Sequence, residues 1–194
     1  PQKIPLTYFY PGSSVGEIFT LLDGHKEPQK IAGLGLGVGS IACYTHPGRS
    51  FDFYEIDPLV IKIAEDPRYF TFLSGCGSPY KILQGDGRLE IAKAPDASYD
   101  MIFLDVFSSD NIPVHVMTRE AIEIYKRKLK PDGILIMNLS NRYLDLIRVT
   151  ATTAGTAGFK SLYKLAHGGK VEGTDLWYSD SIFGVFALDE KQIG

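Results

Sequence analysis

The apolar run Lys30–Leu34 passes without a break into Gly33-Leu34-Gly35-Leu36-Gly37-Val38-Gly39. This junction restricts the chain more than any other. Residues without a Cβ let the backbone turn sharply and approach a ligand closely. A strand feeding a glycine turn and then a helix is the opening unit of many parallel α/β sheets. By itself the pattern is weak, since tight strand–helix packing can also account for it.

The rest of the chain repeats the theme. Short apolar runs alternate with amphipathic ones, which predicts an α/β architecture with a mostly parallel sheet. Leu6–Tyr10 is an aromatic piece that suits an edge strand or an arm. Ser14 and Glu17 form a capping-box pattern for a helix over Val15–Leu22, which Gly24 stops. After the glycine turn a helix is expected through about Tyr44. Ser50–Glu55 reads as the second strand, and Asp57-Pro58 starts a helix that ends before Pro67. Lys81–Leu83 is the third strand, and Leu89–Ala94 a short helix. Tyr99–Leu104 is the fourth strand, apolar enough at Met101–Leu104 for burial on both faces. Thr118–Lys130 has a helical apolar face of Ala121, Ile122, Tyr125 and Leu129. Lys130-Pro131-Asp132-Gly133 is a turn before the fifth strand, Ile134–Leu139. Tyr143–Thr153 is expected to be helical, with Ser161–Leu165 and Ser181–Leu188 an antiparallel pair at the sheet edge. Residues 1–24 then form an arm and helix left from a larger N-terminal region, and residues 25–194 form the α/β domain.

Composition narrows the partners. The 194 residues carry 44% hydrophobic and 22% charged side chains and a net charge of −3. That is an ordinary soluble balance without the basic stripe that nucleic acid requires. The basic run Tyr125–Lys128 sits at an expected helix C-terminus, where cations complement the dipole. No run approaches the ~20 apolar residues of a membrane span, so this chain is not expected to insert in a bilayer. No signal peptide is visible, and a cytoplasmic location is expected. The chain begins at Pro1, which suggests a piece of a longer protein. Cys43 and Cys76 lack a CxxC pattern and read as two reduced, partly buried thiols. His25, His46, His115 and His167 lack metal-ligand spacing, so no metal is expected; His115 alone falls near the candidate site.

In open parallel sheets, ligands sit beyond the carboxyl ends of the strands, where the strand order reverses. Four features fall at such ends: the glycine turn, Glu55, Asp86 and Asp105. Glu55 can accept hydrogen bonds from both hydroxyls of a ribose, as in nicotinamide enzymes. Asp86, between two glycines, can accept from an adenine amino group, or can simply close an Asx turn. Asp105 follows four apolar residues, and a carboxylate there is costly unless it has a partner or a task. As a general base it can take a proton from an incoming amine. Asp110 can hold the distal cationic end of a diamine.

With these residues in place, the chain resembles the spermidine synthase (polyamine aminopropyltransferase) family. It is most similar to the spermidine-synthase-like domain of bacterial proteins that fuse it behind a transporter-like membrane region. The resemblance rests on the Gly33–Gly39 turn, Phe53-Tyr54-Glu55-Ile56-Asp57-Pro58, Gln84-Gly85-Asp86-Gly87, Leu104–Val114 and Leu129–Gly133. It implies a Rossmann-like, class I S-adenosylmethionine methyltransferase fold. It also implies aminopropyl transfer from decarboxylated S-adenosylmethionine to an amine such as putrescine, with a nucleoside cosubstrate rather than a prosthetic group. Gly33, Gly35, Gly37, Glu55, Ile56, Asp86 and Gly87 would bind the nucleoside. Asp105 would be catalytic, and Ser108, Asp110 and Tyr10 would contact the amine. A homodimer is compatible with this reading. The chain departs from the family at Leu36, where an acid is usual. It departs again in the four residues Val106–Ser109 that separate Asp105 from Asp110. An S-adenosylmethionine-dependent methyltransferase and a non-catalytic nucleoside-binding domain of a larger membrane protein are the alternatives.

Overall fold

The structure is a computed structural model describing residues 4–24, 29–106, 113–141, 143–171, 173 and 177–193. A seven-stranded sheet organises the described residues. Its first six strands are β1 (Lys30–Leu34), β2 (Ser50–Glu55), β3 (Tyr80–Gln84), β4 (Tyr99–Leu104), β5 (Leu129–Asn138) and β6 (Lys160–Ala166). The short strands β7 (Gly169–Lys170) and β8 (Trp177–Tyr178) pair as a separate hairpin, and β9 (Ser181–Ala187) returns to the main sheet. The spatial order is β3-β2-β1-β4-β5-β9-β6. The pairs from β3 to β5 are parallel, whereas β5–β9 and β9–β6 are antiparallel. The order reverses between β1 and β4, so the switch point lies there. This is the Rossmann-like methyltransferase fold expected from the sequence, antiparallel edge included.

Alternation along each strand supplies two cores. Ala32, Leu34, Ile102, Leu104, Leu135 and Met137 face one side and pack on α4 (Gly87–Ile91), α5 (Arg119–Lys128) and α6 (Leu146–Thr156). Ile31, Phe51, Phe53, Met101, Phe103 and Ile136 face the other side. There they meet α1 (Ser14–Asp23), α2 (Pro58–Glu65) and α3 (Phe72–Cys76). Helices on both faces therefore bury the sheet twice, which is why its central strands are apolar throughout. The first core encloses one carboxylate, Asp52. Tyr99 Oη donates to it at 2.9 Å and Lys30 Nζ pairs with it at 2.7 Å, so the buried charge is satisfied.

Several local expectations change. Leu6–Tyr10 is no strand: Thr7–Phe9 forms a 3-10 turn. The capping box at Ser14 does not form, because the helix begins one residue earlier, after Ser13. Ser13 Oγ instead donates to the Tyr8 carbonyl at 2.6 Å, and Glu17 pairs with Lys164. The helix after the glycine turn is only the 3-10 turn Ser40–Cys43, since Gly39 at its head is left-handed and Tyr44 leaves helical geometry. Residues Lys130–Gly133 are a bulge inside β5, not a turn before it. Leu129 pairs with Tyr99 and Ile134 with Met101, while Pro131 has no N–H to offer the ladder. Helix α6 starts only at Leu146. Before it, Asn141 Oδ1 accepts from the N–H groups of Tyr143 (2.9 Å) and Leu144 (2.8 Å), and Asp145 then caps the helix. Helix α3 and the β7–β8 hairpin have no sequence signal.

The cysteines also differ from expectation. Cys43 and Cys76 form a disulfide, with their Cα atoms 4.9 Å apart. The sequence separation of 33 residues hides this pairing, which exists because α3 packs on the 3-10 turn after β1. No described helix is long and apolar enough to cross a membrane. No group of described His, Cys, Asp and Glu residues is arranged to hold a metal ion.

Candidate active site

The carboxyl ends of β1, β2 and β4 surround a cavity of about 500 Å³. Backbone bonds prolong the sheet just past the strands and align their ends. Gly35 N–H donates to Tyr54 O (2.9 Å), Asp105 N–H to Leu34 O (2.9 Å) and Gly85 N–H to Glu55 O (2.8 Å). Gly35 is needed twice over. Its φ is +89°, and a Cβ there would stand 2.2 Å from the Asp105 carbonyl oxygen. Gly37, with φ +54°, has open space where a Cβ would go, so its requirement is conformational. Both line the cavity. Gly33 lies within β1, outside the cavity, where a Cβ would meet the Phe53 ring at 2.8 Å. It serves packing rather than ligand contact.

Glu55, buried at the end of β2, ties two loops together. Oε2 accepts from Leu36 N–H at 3.0 Å and Oε1 from Asp57 N–H at 2.9 Å. Each oxygen keeps a lone pair for a ligand hydroxyl. Next to it Ile56 is 65% exposed, an apolar side chain uncovered on a cavity wall. Asp86 caps α4, its Oδ1 accepting from Leu89 N–H at 3.0 Å. Gly87 follows on the wall, close to Leu34. The other oxygen, Asp86 Oδ2, lies 2.9 Å from His115 Nε2.

Asp105 stands at the mouth of β4, held from two sides. Tyr8 Oη donates to Oδ2 at 3.2 Å and Asn138 Nδ2 to Oδ1 at 3.0 Å. The Asn138 amide is oriented in turn, since its Oδ1 accepts from Ser140 N–H at 3.0 Å. Burial raises the proton affinity of Asp105 above the ordinary carboxylate range, and the bonds from Asn138 and Tyr8 oppose that rise. Tyr8 is itself shifted upward by burial and by the nearby Asp105 charge, so it remains a phenol donor. Among the described lining residues the acids are Glu55, Asp57, Asp86 and Asp105, and none is Lys or Arg.

The structure thus gathers Gly35, Gly37, Glu55, Ile56, Asp86, Gly87 and Asp105 around one cavity. Tyr10 is not on it: its ring stacks on Tyr178, with centroids 6.2 Å apart. Tyr8, two residues earlier, takes the place beside Asp105. Ser108 and Asp110 lie outside the described residues. Asn138 is not singled out by the sequence patterns above, and Tyr8 enters there only as part of the aromatic piece Leu6–Tyr10, with Tyr10 expected at the site. Asn138 does carry a signal, a polar residue closing an apolar strand as Asp105 does. Tyr8 is masked by its aromatic neighbours, and only the 3-10 turn separates its direction from theirs.

No protein-family model matches the chain. Two curated proteins named polyamine aminopropyltransferase match it. The one from Vibrio vulnificus is 38% identical over 119 residues, covering 59% of this chain and 38% of that protein. The one from Chromobacterium violaceum is 31% identical over 117 residues, covering 59% of this chain and 43% of that protein. The chain therefore spans less than half the length of these relatives. Among solved structures, spermidine synthase from Thermotoga maritima superposes with a TM-score of 0.62 at 19% identity, covering 90% of this chain and 58% of that one. A spermidine synthase in complex with the transition-state analogue AdoDATO gives 0.64 at 18% identity, covering 93% and 62%. Human methyltransferase-like protein 13, in complex with SAH, gives 0.62 at 25% identity, covering 86% and 74%. In sequence this chain is similar to curated polyamine aminopropyltransferases, and its fold is the one that solved spermidine synthases and methyltransferases share.

Proposed function

We propose that this chain is the nucleoside-binding and catalytic part of a spermidine synthase-like aminopropyltransferase. It moves an aminopropyl group from decarboxylated S-adenosylmethionine to an amine such as putrescine. The observation that carries this reading is Asp105 at the switch point, clamped by Tyr8 and Asn138 in a cavity whose described charged wall is acidic. Glu55 takes the ribose hydroxyls, Asp86 the adenine amino group, and Gly35 and Gly37 let the backbone approach the nucleoside.

The chemistry is dictated by charge. An alkylammonium has no lone pair and cannot attack carbon. A carboxylate with raised proton affinity accepts one of its protons. The freed nitrogen attacks the methylene bonded to the sulfonium, the C–S bond breaks, and its electron pair returns to sulfur. Methylthioadenosine leaves as a neutral thioether, and the new secondary amine keeps a proton as an ammonium. Asp105 then releases its proton to solvent. Decarboxylated S-adenosylmethionine carries a sulfonium and an ammonium without a compensating carboxylate. A wall whose described residues include acids and no Lys or Arg suits that doubly charged form better than the intact one.

Incubation of the purified protein with decarboxylated S-adenosylmethionine and putrescine should release methylthioadenosine, measured by chromatography. No product from this chain or from a longer form of it defeats the reading. Methyl transfer is the second reading, which Leu36 leaves open by giving the glycine turn no charge. Calorimetry separates them: a methyltransferase prefers the nucleoside that keeps its carboxylate.

A further inference from the structure

Asp86 is fixed by more than its own turn. Its Oδ1 is used by the helix cap at Leu89 and its Oδ2 is paired with His115 Nε2. Two anchors on opposite oxygens hold the plane of the carboxylate. The tie is reinforced through the backbone, since Arg88 Nη1 donates to the His115 carbonyl at 2.9 Å. The first turn of α4 is thus clasped twice to the 3-10 turn Val114–Val116. His115 lines the cavity with Asp86 and Ile56, and its side chain is 49% exposed. A flat heteroaromatic ring entering beside Asp86 would cover exposed surface on both His115 and Ile56.

We propose that His115 is a specificity-determining residue for the purine base: it aims the Asp86 carboxylate so that the site takes a 6-amino purine and rejects a 6-oxo purine. The inference rests on the nucleoside-binding reading above. An ionised carboxylate is an acceptor only, with about four lone-pair positions. The cap and His115 occupy two, and the others can be satisfied only by a donor. The adenine amino group brings one. The oxygen of hypoxanthine would place acceptor against acceptor, and mismatches of that kind dominate discrimination at sites built for a hydrogen bond. Without His115, Oδ2 is free to rotate away and be hydrated, and the aim is lost while the cap survives.

The test is calorimetry of the purified chain with 5′-methylthioadenosine and with 5′-methylthioinosine, on the wild type and on His115→Ala, His115→Phe and His115→Gln. The wild type should prefer the adenosine compound. His115→Ala and His115→Phe should weaken its binding about tenfold, the weight of one hydrogen bond to a charged group, with little change for the inosine compound. The preference should therefore narrow. His115→Gln, whose amide can still donate to Asp86, should recover most of it. In the transfer assay KM for the nucleoside should rise while kcat stays within about twofold. His115→Phe keeps a ring of similar size, so it decides the matter if the alanine variant fails to fold. Unchanged preference in these variants, or equal loss for both nucleosides, overturns the inference and leaves the function standing. A wild type that binds neither nucleoside overturns both.

Discussion

Asp105 shows what a single residue can carry. Its carboxyl is raised by burial and moderated by Asn138 and then Tyr8. A carboxylate whose folded pKa lies above its unfolded value binds more protons when folded, so it costs stability once pH exceeds the unfolded value of about 3.9. Asp105→Asn should therefore be no less stable than the wild type at neutral pH by thermal melting. The same variant should lose on the order of a hundredfold or more in methylthioadenosine release, the usual weight of a general base. A destabilised Asp105→Asn would show the residue to be structural. Tyr8→Phe removes a bond that lowers the Asp105 pKa. The acid limb of the pH–rate profile should then move to higher pH, with kcat reduced about tenfold. A limb that stays put would separate Tyr8 from the reacting proton.

At the scale of elements, β1 and the turn after it do two jobs. Gly35 lets the ends of β1 and β4 approach, and the following N–H of Leu36 donates to Glu55. Gly35→Ala meets both a strained φ and a backbone oxygen at 2.2 Å, so the strand ends must separate. Destabilisation of at least ~2 kcal/mol in urea melts and loss of nucleoside binding are expected together. Loss of binding without destabilisation would mean that the close approach is dispensable to the fold. The 3-10 turn Ser40–Cys43 is too short to hold itself, and the Cys43–Cys76 bond to α3 anchors it. With a separation of 33 residues, loop-entropy arguments give the disulfide about 3–4 kcal/mol. Reduction, or the Cys43→Ala/Cys76→Ala pair, should lower the urea midpoint accordingly. An unchanged midpoint would mean that packing alone anchors the turn.

On the scale of the whole molecule, the sheet order puts every proposed nucleoside contact at the carboxyl end of the sheet. Residues from the ends of β1, β2, β3 and β4 converge although they are separated by tens of positions along the chain. Ligand binding should therefore stabilise the fold as a unit. Methylthioadenosine at about 100 times its Kd should add ~2.7 kcal/mol by linkage and raise Tm in a thermal-shift assay. A Tm indifferent to saturating nucleoside would contradict the site.

Much of this is legible in the order of residues, and the reasons are local. Buried parallel strands need apolar runs, left-handed turns need glycine, and strand-end acids stand out against the apolar residues before them. Those rules alone locate β1 to β5, Gly35, Gly37, Glu55, Asp86 and Asp105. Other features depend on neighbours distant in sequence. Tyr8 rather than Tyr10 meets Asp105 because Ser13 and a 3-10 turn set its direction. Asn138 becomes a clamp only because β5 pairs with β4, and the disulfide exists only because α3 packs on the turn after β1. His115 finds Asp86 only when two short helical turns are brought together. Periodicity and backbone strain are properties of adjacent residues, so the linear order of amino acids is enough to specify the sheet, the glycine turn and the acids at the ends of its strands. What holds each acid, and the direction in which it points, comes from the packing of the folded chain. A side chain's partners are set by which elements meet in space, and no short stretch of chain records that.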